Sequence, residues 1–256
     1  MKINQAFTIL QKSGGLRAAR IITDGKKNMP KIKVLYYAWL LRRGVPVAKI
    51  IHRRWFYGLE FYTNSHTLDP RPDTETLVAA VISDCASEQR PNILDLGTGT
   101  GCIIASLVKN IPGSGGTAVD VSRGALRVAR RNMQRLGLCD RVRVMRRSFT
   151  SSRGFDGRFD IIVSNPPYIA RGDNRVDAGA MHDPRRALFA SDGGYAAYAA
   201  IAKNAVNWIA PSGRIYLEIG IDMGARVREI FTAAGWRFVR SENDLGGVER
   251  VLVFAR

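Results

Sequence analysis

The sequence predicts an α/β protein in which a mostly parallel sheet carries helices on both faces. Three observations lead there. From about residue 92 onward, short apolar runs rich in β-branched residues alternate with helical patterns. The first of those runs, "NILDL", passes straight into the glycine-rich turn "GTGTG" and then into an apolar helix. The second and fourth runs end in polar residues, Asp120 and Asn165, where such a sheet binds its ligands.

Taken in order, the front of the chain differs from the rest. Residues 1–54 suggest a short helix over Ile3 to Lys12, a break at Gly14-Gly15, the basic patch "DGKKNMPKIK", and an apolar-aromatic helix from about Ile32 to Arg43, stopped by Gly44 and Pro46. Such a segment is expected to be too small for a core of its own. Its charge is lopsided: residues 1–55 hold 13 Lys and Arg against the single acid Asp24, so +12 of the chain's net +17 lies there. A block of this kind favours contact with a polyanion such as RNA or a ribosome through counterion release. A solubilising tail and an organelle transit peptide are the competing readings.

Beyond the boundary near Arg54, "WFYGLEFYTN" alternates like a hairpin, and "DTETLVAAVISDC" reads as a helix opened by Asp73 or Thr74. Strands follow at about 92–96, 116–121, 141–146 and 159–164, with helices at about 101–110 and 122–137 between them. A helix near 195–209, a strand near 213–219, a helix near 222–234 and strands near 236–241 and 250–255 close the chain. No apolar run approaches the roughly 18 residues needed to cross a bilayer, and the first residues lack a secretory core, so a cytoplasmic protein without membrane contact is expected. Cys85, Cys102 and Cys139 are odd in number and without metal spacing, which predicts reduced thiols used as small core residues. His52, His66 and His182 do not cluster in sequence, and no metal site is predicted.

The strand ends carry the chemistry. Gly97-Thr98-Gly99-Thr100-Gly101 lets the backbone turn tightly and approach a ligand without side-chain obstruction. Its G-x-G-x-G spacing is not the one that seats a pyrophosphate on a helix. Asp120, at the next strand end, is placed to accept hydrogen bonds from two ribose hydroxyls, so the ligand should contain a nucleoside. The fourth strand delivers Asn165-Pro166-Pro167-Tyr168. The side-chain carbonyl of Asn165 and the backbone carbonyl of Pro166 can accept both N–H bonds of a planar NH2 group, and Tyr168 offers a flat face to pack on. A carboxamide or aromatic amine nitrogen has a delocalised lone pair and is a poor nucleophile, so positioning supplies much of the catalysis.

Together "LDLGTGTG", Asp120 and Asn165-Pro166-Pro167-Tyr168 resemble the class I methyltransferases that use S-adenosyl-L-methionine. The resemblance implies a Rossmann-like sheet of seven mostly parallel strands with an antiparallel last strand. It also implies cofactor contacts from Gly97, Thr98, Gly99, Thr100, Gly101, Asp120 and Asn165, with Phe149 stacking on the adenine. Ser148 stands where relatives commonly have an acid. The motif at Asn165 admits adenine, guanine or glutamine acceptors. The flanks are narrower: "DPRPDTE" upstream, "HDPRRALFASDGGYAAY", "GRIYLEIGIDMG" and "NDLGGVERVLV" are similar to the HemK-like protein-(glutamine-N5) methyltransferases that modify peptide chain release factors. That likeness covers about residues 38–256.

By that resemblance the substrate is the glutamine of a release factor's Gly-Gly-Gln loop, with Asn165, Pro166 and Tyr168 catalytic and Pro167 completing the acceptor site. Arg71 lies in a lid segment and is expected to pair with Glu75. Residues 55–256 form the methyltransferase domain and residues 1–54 a reduced, basic docking extension. The other readings are a ribosomal-protein glutamine methyltransferase, a methyltransferase of adenine or guanine amino groups in RNA or DNA, and a non-catalytic RNA- or ribosome-binding protein.

Overall fold

The computed structural model describes residues 1–85, 90–151, 155, 157–173 and 179–256. The chain begins with three helices, α1 (Ile3–Thr23), α2 (Lys31–Arg42) and α3 (Val47–Ile51). The expected break falls at Gly15, whose φ of 82° and ψ of 173° are accessible to glycine at little cost, but the helix resumes at once. The element is therefore a kinked helix of 21 residues rather than a short one ending at Lys12. Gly14 lets it close on α2, since a Cβ there would stand 2.8 Å from Leu41 Cδ2. Contrary to the size argument, this front has an apolar cluster of its own, with Leu10, Ala19, Ile22, Val34 and Ala38 almost wholly buried. Ala6, Ala18, Ala19 and Ala38 keep the spacing small enough for the three helices to cover one another's larger apolar side chains.

Strands β1 (Arg54–Phe56) and β2 (Leu59–Phe61) pair Phe56 with Leu59 across a two-residue turn. Both turn residues, Tyr57 and Gly58, have positive φ, the geometry whose twist suits an antiparallel hairpin. A single 3-10 turn, Pro72–Thr74, then leads into α4 (Glu75–Asp84). Thr74 occupies the N-cap position but makes no capping hydrogen bond, so its hydroxyl is free for other use.

The alternating region builds β3 (Asn92–Leu96), α5 (Cys102–Asn110), β4 (Gly115–Asp120), α6 (Arg123–Arg135), β5 (Val142–Arg146) and β6 (Phe159–Ser164). Next come β7 (Ile169–Ala170), α7 (Arg185–Leu188) and β8 (Phe189–Ala190), then α8 (Ala196–Ala205), β9 (Ile209–Glu218), α9 (Gly224–Ala233), β10 (Arg237–Asn243) and β11 (Glu249–Ala255). The strand order of the seven-stranded sheet is β10-β11-β9-β6-β3-β4-β5. β3, β4, β5, β6 and β9 pair in parallel, whereas β11 inserts antiparallel between β9 and β10.

One face of the sheet buries Leu77, Val78, Ile104 and Leu107 of α4 and α5; the other buries Tyr198, Ile201, Trp208 and Phe231. Two features were not expected. β9 starts four residues earlier than its apolar pattern suggests, and β7 pairs in parallel with β8, tying the chain after Tyr168 to the stretch that begins at His182. The thiols also differ from expectation: Cys102 is buried, Cys85 half-buried and Cys139 exposed.

β3 lies between β4, which follows it in the chain, and β6, which starts the opposite half of the sheet. That is a topological switch point, where diverging connections leave a crevice at the carboxyl ends of the strands.

Candidate active site

The crevice opens between the ends of β3 and β6, and Ser164 Oγ donates to Leu96 O at 2.8 Å across it. Gly97 and Asn165, the next residue of each strand, are thereby brought side by side. Gly97, Gly99 and Gly101 all have left-handed φ values of 74°, 55° and 81°, so glycine is required at each for an unstrained turn. The N–H groups of Gly97 and Thr98 both donate to Val119 O at 2.9 Å, which fixes the turn against β4. A Cβ on Gly101 would meet Met133 Cε at 2.7 Å, whereas one on Gly97 would project toward Phe149, 4.0 Å from its Cε1.

Asp120 shapes the loop as well as facing it. Its Oδ2 accepts from Gly99 N at 3.1 Å and its Oδ1 from Ser122 N at 2.8 Å. Each carboxylate oxygen retains acceptor capacity, as a pair of vicinal hydroxyls requires. Burial raises the Asp120 pKa, and the backbone N–H groups oppose that shift. Phe149 is half-buried, with its carbonyl held by Asn204 Nδ2 at 2.9 Å. Ser148, in contrast, turns its hydroxyl to Thr150 Oγ1 at 2.7 Å.

Beneath the loop lies Asp95, a wholly buried acid that sequence reasoning left without a role. Its Oδ2 accepts from Thr98 Oγ1 at 2.6 Å, while Oδ1 has no partner among the described residues. Desolvation pushes its pKa up to about 7, against the pull of the Thr98 hydrogen bond. The cradle of glycines without side chains, the ring of Phe149 across from Gly97 and the spare acceptors of Asp120 fit a nucleoside with a flexible polar arm, such as S-adenosylmethionine.

At the end of β6 the Asn165 side chain is anchored by its nitrogen, which donates to Thr74 Oγ1 at 3.1 Å. Its carbonyl oxygen remains for a ligand. Asn165, Tyr168, Arg71, Asp73, Leu188 and Glu218 line a cavity of about 350 Å³. The Tyr168 ring occupies space left by Gly220, where a Cβ would stand 3.0 Å from its Cδ2. Burial raises the Tyr168 pKa, so the phenol is neutral. Glu218, 1% exposed at the end of β9, has its pKa raised by burial to about 7, against the opposing pull of the neighbouring polar groups of Thr74 and Asn165 and the charge of Arg250.

The expected Arg71–Glu75 pair does not form. Arg71 Nη2 instead meets Asp183 Oδ2 at 2.9 Å, and Glu75 Oε1 accepts from Tyr57 N at 2.8 Å. Asp183 also takes Lys49 Nζ at 2.8 Å, and Lys49 reaches Asp69 at 2.9 Å. A buried lysine of the front thus connects two acids, one of which also holds Arg71 in the wall of the cavity beside Asn165. Asn132, also buried, accepts from Tyr62 N at 2.8 Å and donates to Thr100 O at 2.9 Å, which joins the hairpin side to the glycine loop.

Sequence reasoning gave Thr74 only a helix-opening role and passed over Asp95, Lys49, Asn132 and Glu218. A usable signal existed for two of them, since "NILDLG" and "IYLEIG" each place one acid in an apolar strand, where a charge is costly unless it is paired, hydrogen-bonded or neutralised.

A glycine cradle and a paired acid at the switch point of this sheet order, next to an amide-presenting Asn-Pro-Pro-Tyr turn, define a class I S-adenosylmethionine-dependent methyltransferase. The methyltransferase small domain family matches residues 72–216. A methyltransferase from Pyrococcus furiosus shares the fold, with a TM-score of 0.57 at 19% identity over 88% of this chain and 96% of that one. Within the class, this chain belongs to the release factor glutamine methyltransferase family. It is 36% identical to the release factor glutamine methyltransferase of Bradyrhizobium diazoefficiens over 92% of this chain and 80% of the relative. It is 40% identical to that of Bordetella pertussis over 81% of this chain and 77% of the relative.

Proposed function

We propose that this protein methylates the side-chain amide nitrogen of the glutamine in the Gly-Gly-Gln loop of peptide chain release factors, in the cytoplasm, where translation terminates. The observation that carries the reading is the Asn165 amide, tethered through its nitrogen to Thr74 with its oxygen left for an acceptor, in a chain of this family. S-adenosylmethionine supplies an electrophilic methyl carbon and leaves as S-adenosylhomocysteine. Gly97, Thr98, Gly99, Thr100 and Gly101 take its methionine arm, Asp120 its ribose, and Phe149 its purine, with Asn165 closing the reacting end.

Asn165 Oδ1 and the Pro166 carbonyl accept the two N–H bonds of the substrate amide, while Pro166 and Pro167 bring no N–H of their own to compete. Tyr168 packs on the amide plane. Holding the acceptor in one orientation supplies the entropy term that a weak nucleophile needs. The attacking nitrogen becomes acidic as it is alkylated, so its proton leaves without a strong base.

Residues 55–256 carry the reaction and residues 1–54 dock the partner. The front also suits contact with ribosomal RNA: Arg17, Arg20, Arg53, Arg54 and the 68%-exposed Trp55 line a cleft of about 550 Å³, a combination of cations and an open aromatic face that favours single-stranded RNA.

Transfer of radiolabelled methyl groups to purified release factor, its Gln→Ala loop variant, intact ribosomes and naked ribosomal RNA tests these assignments together. Label on the wild-type factor alone supports the proposal. Label on RNA or on a ribosomal protein would overturn the substrate while keeping the chemistry at Asn165. Retention of ribosomal RNA without label, lost in Arg17→Ala/Arg20→Ala, is expected for the cleft.

A further inference from the structure

We propose that α6 and the cleft of the front form one cationic track for a strand of RNA, running from Trp55 to the rim of the cofactor crevice. The inference extends the RNA reading of that cleft and rests on it for the front end alone.

Charge points to α6 first. Residues 123–147 hold nine arginines, no lysine and one acid, Asp140, and so carry +8. Residues 56–256 together carry +5, which leaves the rest of that region at −3. Outside the front, all the excess positive charge therefore lies in the stretch that forms α6 and β5, the strand at one edge of the sheet. Arginine presents a planar fork that takes a phosphate by two parallel hydrogen bonds, which an ammonium group cannot do.

Arg123, Arg127, Arg131 and Arg135 follow one another at four-residue steps on the exposed face of α6, with exposed Arg130 beside them. Like charges four residues apart destabilise a helix, and Arg123, in the first turn, opposes the helix dipole as well. The helix forms because Leu126, Val128 and Met133 are buried on its other side. That burial explains the helix but not the stripe, whose placement costs stability. Among the described residues Arg135 is the one member that pairs with an acid. Arg130 Nη2 donates to Val144 O at 3.0 Å, and the Arg131 guanidinium lies 3.7 Å from the centre of the Tyr62 ring. Neither contact removes the charge. Cations at a sheet edge guard against strand pairing, which accounts for Arg143 and Arg146 on β5 but not for the outer face of α6.

The two surfaces meet at Glu60. Arg53 of the front reaches its Oε2 at 3.4 Å and Arg135 reaches its Oε1 at 2.7 Å. Arg53 also lines the cleft of Arg17, Arg20 and Trp55, to which Asp24 contributes an acid. One carboxylate shared by two guanidinium groups leaves the junction positive. At the far end, Arg123 stands just beyond Asp120 in the chain, and Arg146 Nε donates to Val121 O at 3.1 Å. From Arg135 to Arg123 the helix covers about 18 Å, with a cation about every 6 Å. A regular row of this kind suits a polymer that carries a charge on every residue, whereas carboxylates on a folded protein surface fall irregularly.

The test is fluorescence anisotropy with a labelled single-stranded RNA of about 20 nucleotides, titrated at several salt concentrations. Wild type is compared with Arg123→Gln/Arg127→Gln/Arg130→Gln, with Arg17→Ala/Arg20→Ala in the cleft, and with a charge-matched control on α8, α9 and β10, Lys203→Gln/Arg226→Gln/Arg237→Gln. The α6 triple is expected to bind at least about tenfold more weakly and to lower the salt slope by about 2, at about 0.7 per phosphate contact on a single strand. The cleft double should weaken binding too, and the control should stay within about threefold of wild type. Glutamine keeps the helix propensity and removes like-charge pairs, so the melting temperature of the α6 triple should not fall. Its methyl transfer to free release factor should match wild type.

An α6 triple that binds RNA like wild type, while the cleft double loses it, would confine RNA to the cleft and overturn the track. A control that loses as much as the α6 triple would reduce the effect to net charge and overturn it as well. Unchanged RNA binding with a raised KM for release factor would assign the stripe to an acidic protein face instead. Wild type that binds no RNA would sink the cleft reading and the track together, whereas absence of label on release factor would touch neither.

Discussion

Replacing Asp120 with alanine strikes the proposed cofactor contact and the architecture of the glycine loop together. Two backbone donors, Gly99 N at 3.1 Å and Ser122 N at 2.8 Å, rest on this carboxylate, and on the proposed assignment a bound ribose would add two hydroxyls to the same oxygens. Hydrogen bonds to a charged group contribute about 1.5 to 3 kcal/mol, so loss of the ribose contact alone weakens binding about 10- to 140-fold. Freeing the Gly99 N–H loosens the cradle as well, which makes that range a floor. Asp120→Asn should do little better, because its NH2 must oppose either a backbone N–H or a ribose donor. Isothermal titration with S-adenosylmethionine and with S-adenosylhomocysteine measures the effect; both ligands should lose affinity equally, since they share the ribose. Affinity within threefold of wild type for Asp120→Ala would refute the ribose assignment.

Asn165→Ala should reduce methyl transfer below about a tenth of wild type while calorimetric cofactor affinity barely moves, because the amide acts chiefly on the acceptor. Lys49→Met takes the cation from Asp69, 2.9 Å away, and leaves Asp183, 2.8 Å away, with Arg71 alone; removing one partner of a buried pair costs about 3 to 5 kcal/mol. In a chain of this size that is a fall in melting temperature on the order of 10 °C by scanning calorimetry. Gly101→Ala forces a Cβ to within 2.7 Å of Met133 Cε at a φ of 81°, and a loss of about 1 to 3 kcal/mol is expected in denaturant titrations. Asp95 has its pKa raised by burial from 3.8 to about 7, so the native state favours its protonated form. Its contribution to stability is complete below about pH 4 and is lost as pH rises through about 7. Asp95→Asn should therefore flatten the decline in unfolding free energy between acidic and neutral pH.

The succession of strands and helices could be anticipated because each βα unit is local: a run such as "NILDL" and the turn behind it lie within one stretch of chain, and period and glycine placement announce them. Strand ends likewise pointed to Gly97–Gly101, Asp120 and Asn165 as neighbours, and the crevice does bring them together. What stayed hidden depends on partners distant in sequence. Thr74 meets Asn165 across 91 residues and Arg71 meets Asp183 across 112, and no periodicity encodes either contact. Arg71 is therefore matched to a local acid one helical turn on, Glu75, when a distant one wins. Thr74 looked like a helix cap because its position is a cap position; its hydroxyl is turned to Asn165 instead. The kink at Gly15 misled for a related reason, since a glycine pair can end a helix or bend it, and only Leu41 of α2 decides which.

The Lys49 knot bears on how freely the front of such a chain can be exchanged. Lys49 comes from α3, yet it stands on Asp69, Asp183, the Asn64 carbonyl at 2.8 Å and the Thr67 carbonyl, all on the far side of the boundary near Arg54. Asp183 is in turn the seat of Arg71, which forms a wall of the acceptor cavity. The front is keyed into its neighbour like a lock plate, not appended as an interchangeable cassette. A chimera that swaps residues 1–54 for a foreign segment should keep the wall formed by Arg71 only if the graft returns an ammonium group to this one point.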